Sequence, residues 1–548
     1  MKTERRAQKR KDEPSLLKSA KKLQISSATV TAAFLLLGCV LFTMRGLDLW
    51  KDPYQSGRVW QSFDIAHELE RVHGVPWETE ISTMSGGTKP APFLQEFPLA
   101  QYAICLLNIS SRLTIAQAGQ LISTLIAVLC VLVWFRYAWS LSLSSVDRIL
   151  VGSFIFFVPG FLRDGLTAVP DASVFLINLT GAYLIVSGRR GRRDGFVTLG
   201  AILLGFAVLI KGPTLLPAAV IGFALLREGR WRSAACLCAA SIPGLAWAAL
   251  AHSVNKAALP VNEMARFGAL REWWWNPGLY DQLWWYRNLS FTIYDTLGLF
   301  GIVAWVWIVF SVPRRALASF EFVLMVGPAI AMFAAFNFHS ATHPYYSLEW
   351  LPFTMVGAVE LAMKIPEREN SRFYHAFITS SMICLAIFTV AERQMGLVER
   401  KIARNADAVQ PLFHRSTHAP QTDPRDELER AALRGLKNRV SFVAYIGSPG
   451  AEIAFSELGM RGWVVVMPAV DPDLNPKMRH IPASVLREAE WRRISVNWFR
   501  EHLNRGMGAV LIETAGTPNT PEIVQWAETA GLHDVPEDTP GYILLLKN

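Results

Sequence analysis

Acidic side chains that could do chemistry stand beside apolar segments in this 548-residue sequence. Asp64 lies in WQSFDIAHELERVHGVPW, where Phe63, Ile65 and Leu69 form a partly apolar helical face. A carboxylate held on such a face could accept a proton as a general base. Asp171 opens the run DASVFLINLTGAYLIV, where it could act chemically or cap the N-terminus of a helix.

Cations and aromatic side chains occupy similar positions at the ends of other apolar runs. Lys211 ends AILLGFAVLI and is followed by Gly-Pro-Thr, which breaks the helix. An ammonium there suits a lipid-linked phosphate, although snorkelling to the membrane surface explains it equally well. The loop NFHSATHPYYSLEWLP adds His339, His343, Tyr345 and Tyr346. Interface anchoring explains the tyrosines but not the histidines, which could hydrogen-bond a phosphate or sugar.

The composition indicates a membrane protein. Hydrophobic residues make up 51% of the chain and charged residues 18%, and the mean hydropathy is positive. The net charge of +9 comes from Lys and Arg clustered in short loops between apolar runs. The positive-inside rule produces such clusters, which excludes a nucleic-acid partner. The six cysteines lie in apolar stretches, which predicts packing instead of a disulfide framework.

The apolar runs predict about eleven membrane-spanning helices. A basic tail at 1–25 precedes an apolar run at 26–44, which is close to the roughly 20 residues of a spanning helix and predicts an uncleaved signal anchor. Further runs lie at 115–136, 148–163, 172–187, 196–210, 214–226, 233–252, 291–312, 320–338, 346–364 and 373–391. The segment 97–110 could cross or lie on the outer surface.

Charge decides how segment 97–110 is interpreted. If it does not cross, the basic loops at 136–148, 189–194, 227–232, 313–315 and 364–372 all fall on the cytoplasmic side. The positive-inside rule therefore favours a cytoplasmic N-terminus, a first outer loop at 45–97 and an extracytoplasmic C-terminus in the inner membrane. All the candidate residues above then face outward, together with Glu96 and Arg163. Ionisable groups at the membrane rim are costly and are therefore functional candidates.

The character of the chain changes after the transmembrane domain at 26–392. Alternating apolar runs such as VSFVAYI, WVVVMPA, AVLIETA and YILLLK appear between amphipathic stretches in 393–548. This pattern predicts a soluble α/β domain outside the membrane. The predicted fold class is therefore mainly α, a polytopic membrane protein with a C-terminal soluble α/β domain.

Five motifs resemble those of the C-superfamily (GT-C) glycosyltransferases, which use polyprenyl-phosphate sugars, and in particular the bacterial protein O-mannosyltransferase and aminoarabinose transferase relatives. They are WQSFD at 60–64, EFPL at 96–99, VPD at 169–171, KGP at 211–213 and HPYY at 343–346. All five stand in the expected order, on the face that the charge argument places outside. Gln61, Ser62 and Ile65 depart from the family's W-R-Q-x-D-T pattern.

The resemblance implies transfer of a sugar, with inversion, from a polyprenyl-phosphate donor to a lipid, glycan or protein acceptor on the outer face of the membrane. It implies Asp64 as the general base, with Glu96 and Asp171 orienting acceptor or sugar. Lys211, His343, Tyr345, Tyr346 and Arg163 would hold the donor phosphate. No cofactor is predicted with certainty. Whether the loop carboxylates bind a divalent metal ion is left open.

Two functions of other classes compete with this interpretation. A transporter or flippase of lipid-linked sugars would also use polytopic helices with aromatic and charged clusters, but it is expected to carry polar residues in mid-span or paired broken helices. A sensor with an external ligand-binding domain would need a cytoplasmic output domain. The sequence instead concentrates its polar groups on one face.

Overall fold

The computed structural model describes most of the transmembrane part and the core of the C-terminal domain. The described residues are 28–29, 31–50, 57–79, 94, 96–167, 170–258, 282–342, 344–365, 433, 436, 440, 442–447, 462–466, 494–504, 506–514, 517, 520–535 and 542–547. The predicted basic tail, the apolar run at 373–391 and the domain boundary near 393 lie outside them.

Helices dominate the described chain up to residue 365. They are α1 (Thr31–Trp50), α2 (Gly57–Arg71), α3 (Leu99–Ser110), α4 (Ile115–Trp139), α5 (Ser145–Ser153), α6 (Pro159–Asp164), α7 (Pro170–Arg190), α8 (Asp194–Ile210), α9 (Leu215–Arg227), α10 (Trp231–Ala258), α11 (Gln282–Ser311), α12 (Phe320–Thr342) and α13 (Leu351–Ala362). Short 3-10 helices at Gly212–Thr214 and Pro344–Glu349 lead into α9 and α13.

Four of the described helices, α1, α4, α7 and α10, are long and apolar enough to cross a membrane. Several of the remaining helices are shorter, and α3 has only 12 residues. A helix of that length rises about 18 Å, which is short of the roughly 30 Å hydrocarbon core. Length alone does not decide whether segment 97–110 crosses, since α9 and α13, which lie in predicted spans, have only 13 and 12 residues. That this segment does not cross stays a prediction. The count of eleven spans stays a prediction.

The predicted run 148–163 is not one helix. It is divided among α5, a 3-10 helix at Phe154–Phe157 and α6. The break comes at Val158, whose backbone is extended, and α6 then starts at Pro159. Proline has no amide hydrogen to donate into a preceding turn, so it begins helices more easily than it continues them.

This broken segment still passes from one end of the helix bundle to the other. Before it, the Ser140 carbonyl accepts a hydrogen bond of 3.1 Å from Arg190, at the end of α7. After it, the Leu166 carbonyl accepts a hydrogen bond of 3.3 Å from Gln120, in the first turns of α4. These anchors lie at opposite ends of α4, so the segment must traverse the bundle between them.

Close backbone contact joins α8 to α10. A Cβ atom placed on Gly205 would lie 2.5 Å from the Leu237 carbonyl oxygen, and one on Gly244 would lie 2.5 Å from the Val208 carbonyl carbon. Both obstacles are backbone atoms, which cannot rotate away. Small residues therefore let these helices approach closely, as they do at many helix interfaces in membranes.

Ion pairs gather the ends of several helices on one side of the bundle, which we call the Arg189 end. Arg189 pairs with Glu228, and with Glu321 at 2.6 Å. Lys364 also reaches Glu321, at 2.5 Å. Since these residues come from four separate connections, the structure places the described parts of those connections on one common side. That this side is cytoplasmic stays a prediction.

The C-terminal domain contains a five-stranded mixed sheet of order β2-β1-β3-β5-β4. Its strands and the two helices between them are β1 (Phe442–Gly447), β2 (Gly462–Val466), α14 (Val496–Asn504), β3 (Met507–Glu513), α15 (Thr520–Thr529), β4 (Leu532–Val535) and β5 (Tyr542–Lys547). β1 pairs in parallel with β2 and β3, whereas β5 pairs antiparallel with β3 and β4. Buried residues lie on both faces of the sheet. The predicted α/β fold of this domain is confirmed.

Candidate functional site

Lys211 lies completely buried at the point where α8 ends. Its backbone is extended, with φ −149° and ψ 110°. The Lys211 carbonyl accepts hydrogen bonds from Thr214, through the amide at 3.1 Å and the hydroxyl at 2.7 Å. Pro213 cannot donate an amide hydrogen, so α8 stops here and the chain turns into the next 3-10 helix. The side chain of Lys211 is thereby fixed inside the bundle instead of snorkelling outward.

Two carboxyl groups hold the buried ammonium. Lys211 Nζ donates to Asp171 Oδ1 in the first turn of α7, and it lies 3.1 Å from Glu349 Oε1 at the end of the 3-10 helix Pro344–Glu349. All three side chains have zero exposure. Asn178 of α7 further secures this 3-10 helix by donating to the Glu349 carbonyl at 2.9 Å. Three separate elements therefore converge on Lys211.

Two tyrosine rings complete the enclosure of Lys211. Its Nζ lies 4.0 Å from the ring centroid of Tyr346 and 4.9 Å from that of Tyr345. The two rings stack on each other, with centroids 5.4 Å apart. Both distances are within the range of cation–π attraction. We call Lys211, Asp171, Glu349, Tyr345 and Tyr346 the Lys211 cluster, and its side of the bundle the Lys211 end.

The charges of the Lys211 cluster do not balance if both carboxylates are ionised. Burial, reinforced by the charge of Asp171, raises the pKa of Glu349 to about 8 although Lys211 acts in the opposite direction. Burial acts to lower the pKa of Lys211, but Asp171 and Glu349 outweigh it and hold that pKa above its ordinary value. At neutral pH the cluster therefore contains one ammonium, one carboxylate and one neutral carboxyl group.

Glu96 approaches the Lys211 cluster from the segment before α3. Its charge contributes to the raised pKa values of both Lys211 and Glu349. The next residue, Phe97, packs its ring edge-on against Trp247 of α10, with centroids 5.2 Å apart. The structure thus brings together five of the eight predicted site residues, namely Glu96, Asp171, Lys211, Tyr345 and Tyr346.

Asp64 is placed by a different element. It is 4% exposed within α2, and its neighbour Phe63 packs against Gly119 of α4. Glu68, one turn further along α2, is equally buried and pairs with Arg71 at 2.8 Å. The burial of Asp64 agrees with the expected held carboxylate. Its convergence with the Lys211 cluster stays a prediction.

Arg163 lies in α6, which packs against the 3-10 helix that carries Glu349. Its guanidinium pairs with Asp164 at 2.8 Å, and its carbonyl accepts a hydrogen bond of 3.4 Å from Arg45. If Arg163 binds a phosphate, its guanidinium must contact the phosphate and Asp164 at the same time. His343 and the side chain of His339 lie outside the described residues.

Glu349 is the member of the cluster that the sequence interpretation missed. The motif HPYY directed attention to histidine and tyrosine, although Glu349 is the one carboxylate in NFHSATHPYYSLEWLP. It stands two residues before the apolar run LPFTMVGAV. An acidic residue at the start of a membrane helix needs a partner. The position of Glu349 just before an apolar run could therefore have identified it as a candidate site residue.

Within the described part of the chain, no group of three His, Cys, Asp or Glu side chains is arranged to hold a metal ion. Residues 80–93 of the acidic first loop lie outside that part. A divalent metal on the loop carboxylates stays a prediction.

The fold is similar to that of solved glycosyltransferase structures, although no family model and no curated protein sequence matches the chain. ArnT from Cupriavidus metallidurans in the apo state aligns with a TM-score of 0.52 and 13% identity, covering 92% of this chain and 97% of ArnT. The Archaeoglobus fulgidus oligosaccharyltransferase aligns with a TM-score of 0.45 and 12% identity, covering 95% of this chain and 74% of the other.

The arabinofuranosyltransferase AftD from Mycobacteria also aligns, with a TM-score of 0.45 and 14% identity, covering 95% of this chain and 41% of AftD. The alignment with ArnT extends over nearly the whole of both chains. It shows a shared fold and confirms the predicted fold class, a mainly α membrane protein with a C-terminal α/β domain.

Proposed function

We propose that the protein is a glycosyltransferase that moves a sugar from a polyprenyl-phosphate donor to an acceptor, which is a lipid, glycan or protein at the outer face of the inner membrane. The observation that carries the proposal is the fully buried Lys211, held by Asp171 and Glu349 against two tyrosine rings. A buried cation at the rim of apolar helices suits the phosphate of a membrane-embedded lipid.

The proposed reaction makes one bond and breaks one bond at the anomeric carbon of the sugar. An acceptor hydroxyl or amine attacks this carbon from the face opposite the phosphate, and its proton passes to Asp64. The bond between the anomeric carbon and the phosphate oxygen breaks, and its electron pair leaves with the polyprenyl phosphate. Because the attack and the departure occur on opposite faces, the configuration inverts. Lys211 stabilises the charge that grows on the leaving phosphate.

Glu349 controls access of the phosphate to Lys211 in this proposal. The enclosed ammonium has no open face, so a phosphate can reach it only if one partner moves away. Neutral Glu349 holds the ammonium less strongly than ionised Asp171 does, since a neutral carboxyl group lacks the charge that attracts it. Glu349 is therefore the partner that the donor phosphate displaces.

Donor affinity should then depend on the protonation of Glu349. Below pH 8 the carboxyl group is neutral, whereas above its pKa of about 8 it ionises and competes with the phosphate for Lys211. We expect the KM for donor to rise by up to about ten-fold between pH 7 and pH 9, and Glu349→Gln to remove the rise. Initial rates across this pH range would measure it. Among the described residues, the charged groups that act on Glu349 are Lys211, Asp171 and Glu96, while Tyr345 and Tyr346 face Lys211.

Glu360→Gln is the matched control for this experiment. Glu360 is also a buried carboxyl group, but it lies at the Arg189 end, where Tyr137 donates to it at 3.0 Å and Arg190 lies at 3.3 Å. The variant should keep the wild-type pH profile. An unchanged KM profile in Glu349→Gln would show that Glu349 does not compete with the donor.

A flippase of lipid-linked sugars remains the rival proposal. The two activities differ in whether the bond between sugar and phosphate breaks. Protein reconstituted in liposomes with radiolabelled polyprenyl-phosphate sugars and an envelope extract as acceptor source should release free polyprenyl phosphate and transfer the label to an acceptor. Movement of intact donor across the bilayer, without release of polyprenyl phosphate, would favour the flippase. Lipid-linked sugar profiles of a deletion strain should show the unused donor and identify which sugars to supply.

A further inference from the structure

A cavity of about 220 Å³ opens at the Arg189 end, on the side of the bundle opposite the Lys211 cluster. Its polar lining comes from the ends of α7, α9, α12 and α13. The lining includes Arg189, Arg227, Glu228, Ser319, Glu321 and Lys364. This volume is smaller than that of a typical pocket for a drug-sized ligand. It suits a small ionic group.

The cavity carries one more positive than negative charge. Arg189, Arg227 and Lys364 contribute three cations, and Glu228 and Glu321 contribute two carboxylates. Arg189 and Lys364 are engaged with these carboxylates. Glu321 accepts hydrogen bonds from both Arg189 and Lys364, so it is counted as an ionised carboxylate. Arg227 makes no ion pair within the described part of the chain.

Two further features point to an anion with a lipid attached. Ser319 is one of the residues that line the cavity, and its buried hydroxyl oxygen finds no hydrogen-bond partner among the described residues. An occupant that accepts a hydrogen bond would satisfy it. Beside the cavity-lining residues of α9, Phe223 is 70% exposed and Leu226 is 54% exposed. Exposed apolar side chains next to an ionic cavity suit the junction between a lipid headgroup and its acyl chains.

We propose that this cavity binds the phosphate of one anionic phospholipid from the leaflet at the Arg189 end. A lipid phosphodiester carries one negative charge, which matches the single excess positive charge of the lining. Arg227 and the Ser319 hydroxyl contact the phosphate, and Phe223 and Leu226 contact the acyl chains. The bound lipid bridges α9 and α12. On α9 it contacts Arg227, which makes no ion pair within the described part of the chain. Basic pockets between membrane helices recognise lipid headgroups in this way.

Native mass spectrometry and thermal unfolding of the purified full-length protein would test the proposal. We expect one phosphatidylglycerol to stay bound and to raise the Tm, whereas phosphatidylcholine at the same concentration does neither. Arg227→Gln should weaken phosphatidylglycerol binding about five-fold, since a basic residue near the bilayer surface contributes about that factor. Ser319→Ala removes the hydroxyl donor with little volume change and should also weaken binding.

Arg232→Gln is the matched control, because Arg232 is exposed on α10 at the same end and lies over the Trp231 ring instead of in the cavity. It should bind phosphatidylglycerol as the wild type does. Equal binding of the two lipids, or unchanged binding in both Arg227→Gln and Ser319→Ala, would overturn the proposal. Protection by inorganic phosphate equal to that by phosphatidylglycerol would also overturn it, because the site would then bind a soluble anion.

Discussion

Replacing Lys211 with methionine should weaken binding of the polyprenyl-phosphate sugar donor by about 10- to 100-fold, as expected for the loss of a charge-assisted hydrogen bond to the phosphate. The substitution removes the ammonium but keeps a side chain of similar length. Binding of a fluorescent polyprenyl-phosphate analogue to the purified protein would measure the change. The donor KM should rise in parallel, because the same contact is made before and during the reaction.

The methionine variant has a structural cost that must be separated from donor binding. Lys211 is enclosed with Asp171 and Glu349, and its removal leaves Asp171 as a buried carboxylate without its cation. Breaking a buried pair in this way costs about 3–5 kcal/mol. The double variant Lys211→Met with Asp171→Asn removes both charges and leaves Glu349, which is neutral at pH 7. It should regain most of the lost thermal stability.

The two variants together distinguish a structural role from phosphate binding. If Lys211 binds the phosphate, the double variant folds stably and still binds donor weakly. A double variant that regained both stability and donor affinity would show that Lys211 only holds the helices together. Donor affinity at the wild-type level in the folded single variant would likewise remove Lys211 from the phosphate site.

Substituting asparagine for Asp64 should lower kcat by about 100- to 10,000-fold, the range associated with loss of a general base. The amide is close in shape to the carboxylate but cannot accept the acceptor's proton. Donor affinity should stay within about two-fold of the wild type, since Asp64 is proposed to act on the acceptor and not on the phosphate. Single-turnover transfer rates and direct donor binding would measure the two effects separately.

Glu68→Gln provides the control for Asp64→Asn. Both carboxylates are 4% exposed on α2, one turn apart, and Glu68 pairs with Arg71 on the same helix. The Glu68 variant should retain most of the transfer rate. A similar loss in both variants would indicate that α2 had been distorted, and a wild-type rate in Asp64→Asn would exclude Asp64 as the base.

Much of the architecture could be predicted from the sequence, because the membrane requires its spanning segments to be long and apolar. Apolar runs of sufficient length must pair all their backbone groups internally, so they form helices whatever their neighbours are. Charge asymmetry between the connections predicted that the basic loops share one side. The contacts of Arg189 with Glu228 and Glu321, of Lys364 with Glu321 and of Arg190 with Ser140 show this for the described parts of these loops. The family resemblance implied one site for Asp171, Lys211 and the tyrosines, and the structure brings these residues together.

The tertiary structure decided what those residues do to one another. Lys211 could have snorkelled outward or turned inward, and only the packing of α7 and the 3-10 helix Pro344–Glu349 encloses it. Glu349 acquires its pKa of about 8 from burial beside Asp171. Asp171 and Glu349 are far apart in the sequence, so no local sequence pattern could have predicted this effect. The hydropathy pattern also did not predict the break at Val158 and Pro159, because the residues on both sides of the break are apolar and form one continuous apolar run in the sequence. Local sequence sets which segments enter the membrane, whereas contacts between distant segments set the ionisation and accessibility of the charged groups they carry.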